Sequence, residues 1–287
     1  MHVLGMGELV TGWRTAGVGE GMALMVHASL SALGRVDGGA GTVVASLREA
    51  VGSAGTVAVP AFTWEVADPD PEHVGVPDAA VAARRAAVPL FRPDLPVTRA
   101  LGAVPEALRS LPESVRSGHP QASVAAVGAR AAEVTAGQSL GFALGRTSPF
   151  GRLHDLGAHI LLIGVGHNRN SFLHYVESLV PRPRLRLRRF PMEVAGERVW
   201  VETPDVGNDN DTHFPVLGAD FERHAGIAES TVGGAVCRLL PVAALVDFAV
   251  PRLQELLDAG ADTDTGADTD TGADTDTDTD VRSPASG

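Results

Sequence analysis

Cysteine is nearly absent from this 287-residue chain, in which Cys237 stands alone. One thiol allows no disulfide framework and no CxxC pair for zinc. That suits a reducing compartment, and a cytoplasmic protein is expected. No uninterrupted apolar stretch approaches the ~20 residues that span a bilayer. The opening MHVLGMGELVTGWRTAGVGEG also lacks the charged and then apolar regions of a signal peptide. The chain therefore reads as unprocessed, with no membrane partner. Aromatic residues are only 5% of the chain, and the balance of charge is acidic, which argues against a nucleic-acid partner. HExxH occurs nowhere, so the commonest helical zinc site has no motif to rest on.

The acidic balance is unevenly spread. Residues 258–287 hold nine Asp against one Arg, which accounts for −8 of the total −12 and leaves −4 for residues 1–257. The repeated GADTDT of this tail has no large apolar residue, cannot offset its ordering entropy, and is expected to be disordered. A solubilising role fits it better than a calcium-binding repeat, since the glycine-rich nonapeptide of calcium β-rolls is missing. Hydrophobic residues are 44% of the whole chain, enough to build a core, and residues 1–257 read as a single domain.

Within that domain, strand and helix patterns alternate, as in an α/β fold. MALMVHASL (22–30), GTVAVPAFTW (55–64) and HILLIGVG (159–166) read as buried strands. GAGTVVASLREAVG (39–52), LGAVPEALRSL (101–111), GARAAEVTAG (128–137) and the stretch from Pro241 to Gly260 read as helices. Residues 65–81 are rich in Pro and Asp and read as a long irregular loop. LRLRRFPMEVAGERVWVET (185–203) reads as an inserted β-hairpin turning at Ala195-Gly196. The expected architecture is a central mixed or parallel sheet flanked by helices.

The stretch NSFLHYVES (170–178) follows the third strand and reads as a helix. At 3.6 residues per turn, Phe172, Leu173, Val176, Leu179 and Val180 share the buried side. Asn170, Ser171, His174, Glu177 and Ser178 share the other edge. Three readings compete for that edge: a solvated face, a metal site with His167, or a general base with its carboxylate. A metal would have only His174 and Glu177 one turn apart, short of the ligand count zinc needs. A general base needs only that pair, because imidazole titrates near neutral pH and a carboxylate fixes its tautomer. The helix also starts where ligands bind in open α/β sheets, at the carboxyl end of a strand.

Three further groups stand out. His27, Ser29 and Ser31 precede a glycine-rich turn into a helix, which is either a tight turn or a ligand loop. It is neither GxGxxG nor a Walker loop. Arg116, Ser117 and His119 form a candidate phosphate contact, with Arg116 alone more commonly a surface charge. DVGNDNDTHF concentrates Asp205, Asp209 and Asp211, either as an Asx-rich turn or as a holder of ammonium groups.

Taken in order, MVHASLSALGRVDGGAGTVVASLREAVGSAGTVAVPAF, RSGHPQASVAAVG and SPFGRLHDLGAHILLIGVGHNRNSFLHYVE resemble three signature segments of the aminoglycoside 3-N-acetyltransferases. These are a VHSS-type strand with its GTLVMP-type partner, RSxHPxxSFAAxG, and SPxxRxxxLxGxVLLLGVxxxxxTxLHxAE. The resemblance spans about residues 8–257, and GNDNDTHF looks closest to the apramycin-acetylating branch. It implies an α/β antibiotic N-acetyltransferase fold distinct from GNAT, and acetyl transfer from acetyl-CoA to the 3-amino group of a 2-deoxystreptamine aminoglycoside, with no metal. It further implies His174 as general base, Glu177 as its acidic neighbour, and Asp205 near both base and drug. Asp68, Glu177, Asp205, Asp209 and Asp211 become candidates for the drug's ammonium groups. His27, Ser29, Ser31, Ser117 and Ser123 become candidates for the pantetheine and coenzyme A groove. Departures are Ser171 for a family Thr, Val124 for an aromatic, and Arg146-Thr147 for a substrate-side histidine. Acylation of another amine in natural-product biosynthesis, or an inactive aminoglycoside-binding protein, are the alternatives. A homodimer is left open.

Overall fold

In the computed structural model, which describes residues 2–75, 78–207 and 210–261, the three apolar runs become the parallel centre of one seven-stranded sheet. Along the first half of the chain lie β1 (Val3–Leu4), α1 (Met6–Thr15), β2 (Ala23–Ala28), α2 (Leu30–Leu33), β3 (Arg35–Val36) and α3 (Gly39–Val51). They are followed by β4 (Thr56–Pro60), α4 (Ala79–Ala87), α5 (Ala103–Arg109), β5 (Val115–Arg116) and β6 (Val124–Gly128). The second half adds α6 (Ala131–Thr135), α7 (Pro149–Asp155), β7 (His159–Ile163), α8 (Phe172–Glu177), β8 (Leu185–Val194) and β9 (Glu197–Val206). It closes with α9 (Phe214–Ala225), β10 (Glu229–Val232), β11 (Ala235–Pro241) and α10 (Val242–Ala261).

The sheet order is β10-β11-β7-β2-β4-β6-β5. β7, β2 and β4 run parallel, and antiparallel strands continue the sheet on both sides. Central parallel strands are covered on both faces, which is why they read as near-continuous apolar runs. The two-residue period sorts their side chains. Met25, Ala58, Ile160 and Leu162 face one layer, with Phe150, Phe172, Tyr175, Phe214 and Leu245 from α7–α10. Leu24, Val26, Val57, Val59 and Leu161 face the other, with Trp13, Val43, Leu47 and Leu108 from α1, α3 and α5. The fully buried Trp13 indole donates to Ser46 Oγ at 2.8 Å, so its one polar atom is satisfied inside that layer. No described helix is long and apolar enough to cross a membrane.

The hairpin turns at Ala195 (φ 52°) and Gly196 (φ 84°). Two successive positive φ values are what a two-residue type I′ turn requires, and glycine takes the second at no steric cost. β8 and β9 pair over ten residues each, from Leu185↔Val206 to Val194↔Glu197. The hairpin is stitched to the body along its length. Asp68 N donates to Arg189 O at 2.8 Å, and Phe142 N donates to Pro204 O at 2.9 Å. Arg198 reaches the carbonyl of Val88 at 2.7 Å.

Two expectations change. The stretch read as irregular ends in α4, whose first turn is capped by Asp78 Oδ1 accepting from Ala80 N and Val81 N. The folded body also passes the expected boundary at 257. α10 runs to Ala261, and Asp258 sits in it with both carboxylate oxygens on Arg182. The rest of the Asp/Thr run lies outside the described residues.

α9 packs on the 3₁₀ turn His167–Arg169 through Gly218. A Cβ at Gly218 would fall inside the His167 imidazole ring. Gly218→Ala is therefore expected to cost about 1–3 kcal/mol as overpacking, lowering Tm by several degrees. A wild-type melting curve for this variant would contradict the packing described.

Candidate active site

At the carboxyl ends of β2, β4 and β7 the chain leaves the sheet in turns, and these turns surround a cavity of about 1220 Å³. This is where open α/β sheets bind ligands. His27, Ser29 and Ser31 come from the end of β2, Pro60, Phe62 and Trp64 from β4, and Gly164–Gly166 from β7. The far wall is made by the hairpin, through Arg188 and Asp205.

His174 enters the cavity from α8, and its Nδ1 lies 2.7 Å from Glu177 Oε2 one helical turn on. The Glu177 side chain is 3% exposed, and its other oxygen accepts from Arg184 Nη2 at 3.0 Å. A carboxylate can only accept, so Nδ1 carries the proton and Nε2 keeps its lone pair. Phe214 packs edge-on to the imidazole, with centroids 4.9 Å apart. Of the edge for which a solvated face was one reading, Asn170 (1% exposed) and Glu177 (2%) are buried, and Ser171, His174 and Ser178 are half-buried. The buried carboxylate between two cationic or donor groups is what permits this.

The other cavity histidines are differently engaged. His119 Nδ1 accepts from Gln121 N (3.1 Å) and Ala122 N (3.0 Å), which leaves Nε2 to donate to Leu140 O at 3.0 Å. Both nitrogens are committed, and burial pushes its pKa down. His27 is enclosed, its Nε2 is buried without a hydrogen-bond partner, and burial pushes its pKa down to about 3, with a smaller contribution from His167. His174 is the cavity histidine with an ordered tautomer and an uncommitted lone pair.

The remaining expected residues divide. Ser29 and Ser31 line the cavity, with their hydroxyls 3.0 Å apart and Ser29 capping α2. Ser117 and Ser123 do not. Ser117 Oγ donates to Gln138 Oε1 and accepts from Val124 N, while Ser123 Oγ donates to Ala61 O, so both serve the β5–β6 edge. Arg116, expected as a phosphate contact or surface charge, is a half-buried brace. Its guanidinium donates to Ser123 Oγ and to the carbonyls of Pro93, Leu95 and Ala61. Desolvation lowers its pKa to about 10.

Among the carboxylates, Asp205 lines the cavity, with Oδ2 3.5 Å from Arg188 Nε and Oδ1 accepting from Val206 N. Asp68 does not line it. Arg85 and Arg189 hold its carboxylate at 2.9 and 2.6 Å, joining the 65–88 segment to the hairpin. Burial alone would raise the Asp68 pKa, but the Arg85, backbone and Arg189 hydrogen bonds outweigh it and lower it. Glu177 stands behind His174, and its two oxygens meet His174 Nδ1 and Arg184 Nη2. Asp211 accepts from the cavity residue Asn168 at 3.1 Å but is not itself in the wall. Asp209 lies outside the described residues. The three residues weighed for a metal do not converge either, since His167 is turned to Glu222 at 2.7 Å. Arg188 was missed by sequence reasoning. The strand period could have found it, since positions 186 and 188 share a hairpin face with Asp205 across the register Arg186↔Asp205.

A family described as aminoglycoside 3-N-acetyltransferase matches residues 25–254. Aminoglycoside N(3)-acetyltransferase VII of Streptomyces paromomycinus is 36% identical over 257 residues, covering 84% of this chain and 88% of its own. A structure of AAC-IIIb, binary with CoASH, aligns at TM-score 0.80 and 28% identity, covering 89% of this chain and 98% of that one. Sisomicin-bound AAC-VIa aligns at TM-score 0.79 and 32% identity, covering 89% and 99%. The mixed sheet flanked by helices is the architecture these acetyltransferases share.

His27, His119, His159 and His167 all have pKa values lowered by burial. Unfolded, each would titrate near 6.5, so below that pH the unfolded chain takes up protons that the folded chain refuses. Stability should be complete above about pH 6.5 and fall as the pH drops, most steeply through His27, whose protonation costs up to about 1.4 kcal/mol per pH unit. His27 extends the window toward pH 3. Melting temperatures recorded from pH 7.5 to 5 should decline steadily on the acid side, and a flat profile would contradict the buried neutral histidines.

Proposed function

The chain belongs to the aminoglycoside 3-N-acetyltransferase family, and from that premise we propose that His174 is the general base for acetylation of the 3-amino group of a 2-deoxystreptamine aminoglycoside. The observation that carries this reading is the His174 Nδ1–Glu177 Oε2 hydrogen bond of 2.7 Å beside a cavity large enough for two substrates. A bound ammonium group must lose its proton before it can act as a nucleophile. His174 Nε2 is the acceptor for that proton, and Glu177 keeps the ring oriented and its Nδ1 protonated. Arg184 in turn holds the Glu177 carboxylate in place.

The coenzyme is read onto the β2 side of the cavity. There the Ser29 and Ser31 hydroxyls, the buried His27 and the backbone of Gly164–Gly166 supply polar groups of the kind a pantetheine amide needs. A relative solved with CoASH supports the coenzyme as co-substrate. Bound acetyl-CoA would supply the thioester carbonyl that the amine attacks. Transfer is direct, because Cys237 is buried outside the cavity wall and burial raises its pKa to about 11. On the opposite side, the hairpin is an insertion that brings Asp205 to the amine-bearing substrate, and Asp211 sits beside Asn168 at the rim. A relative solved with sisomicin supports an aminoglycoside as the second substrate. The likeness of GNDNDTHF to the apramycin-acetylating branch puts apramycin first among the drugs to try. A cytoplasmic location, where acetyl-CoA is available, completes the reading.

The test is a thiol-release assay with acetyl-CoA against apramycin, sisomicin, gentamicin and other 2-deoxystreptamine drugs, with the acetylated nitrogen located by NMR. Wild-type protein should release thiol and modify the 3-amino group. His174→Ala should keep its fold and lose roughly 10²–10⁴-fold in kcat, the usual worth of a positioned base. Turnover near wild type in that variant would remove His174 from the role.

A further inference from the structure

The family reading calls for a cavity that attracts a polycation, yet the described cavity wall carries one carboxylate, Asp205, and two arginines, Arg169 and Arg188. Arg188 stands directly against that carboxylate, with its Nε 3.5 Å from Asp205 Oδ2 and its side chain 26% exposed. It reaches this place through the hairpin register. Arg186 pairs with Asp205 and Arg188 with Thr203, so Arg188 and Asp205 are diagonal neighbours on the inward face. Buttressing comes from Phe190 two residues on, which is fully buried and packs edge-on to His119. His119 has both ring nitrogens committed to backbone groups, which fixes the wall behind the pair.

Resting on the proposed aminoglycoside reading, we propose that Arg188 is a specificity-determining residue, an internal cation that occupies Asp205 in competition with a substrate ammonium group. An incoming ammonium group must share or displace the guanidinium, and it does so in a partly dehydrated site where like charges repel strongly. The consequence is selection by charge. Drugs that place one ammonium group near Asp205 meet only the competition, whereas drugs that crowd several there also meet the repulsion. The residue belongs to the drug side of the cavity, so acetyl-CoA binding should be insensitive to it.

The experiment compares wild type with Arg188→Gln and Arg188→Lys by steady-state thiol release, using two aminoglycosides that differ in number of amino groups, at low and high salt. Arg188→Gln should lower the aminoglycoside KM about tenfold, changing it more than kcat and leaving the acetyl-CoA KM in place. The fall should be larger for the more highly charged drug and smaller at high salt, where the interaction is screened over ~8 Å or less. Arg188→Lys, which keeps the charge, should stay near wild type. Arg188→Met, which keeps most of the aliphatic stem, stands in where the Gln variant does not fold. An aminoglycoside KM equal to or above wild type in an active, folded variant overturns the inference and leaves the acetyltransferase reading intact. Absence of thiol release from wild type with every aminoglycoside overturns that reading, and this inference with it.

Discussion

A carboxylate buried between an imidazole and a guanidinium organises this molecule. Glu177 is 2% exposed, and a charge so enclosed is tolerable only if its oxygens are met by donors. His174 meets one and Arg184 the other. The requirement fixes three parts of the chain at once: the helix α8 that spaces His174 and Glu177 by one turn, the segment before β8 that delivers Arg184, and the Phe214 ring against the imidazole. It also orders the chemistry, because the proton on Nδ1 leaves the basic lone pair on Nε2.

The hairpin repeats the same device around the cavity. Asp205 faces Arg188, and Asp68 is clasped by Arg85 and Arg189. All 23 Lys or Arg positions of the 287 residues are arginine, with no lysine. A guanidinium stays charged and donates from a planar fork, which suits partly buried pairing with carboxylates better than an ammonium group does. The acidic side chains nearest the site are therefore mostly spoken for before a substrate arrives. Their order is preformed.

Much of the frame was legible in local pattern. The runs ALMVHA, TVAVP and HILLI announced buried strands, and the 3.6-residue spacing in 170–180 separated Phe172 and Val176 from His174 and Glu177. Local spacing alone was enough to pair these last two. What could not be read were partners set by tertiary structure. Asp68 meets Arg189 across 121 positions, and nothing in the Pro/Asp-rich loop announces it. Ser117 and Ser123 carry hydroxyls of the sort that bind ligands, yet they close a strand edge instead. Arg116, which by type belongs at the surface, is half-buried and donates to three backbone carbonyls. The antiparallel pair β10–β11 was not legible because ESTV is only four residues long and AVCRLLP lacks clean alternation.

The most direct measurement is a crystal structure of the ternary complex with coenzyme A and an accepted aminoglycoside. If the buried Glu177 charge exists to aim His174, the drug's 3-amino nitrogen should lie within ~3.5 Å of His174 Nε2, the range of a near-attack arrangement. The coenzyme's thiol should approach that nitrogen from the Ser29–Ser31 side, with Asp205 beside another of the drug's ammonium groups. A complex in which the acetylated nitrogen faces a different basic atom, with His174 remote from it, would contradict the account.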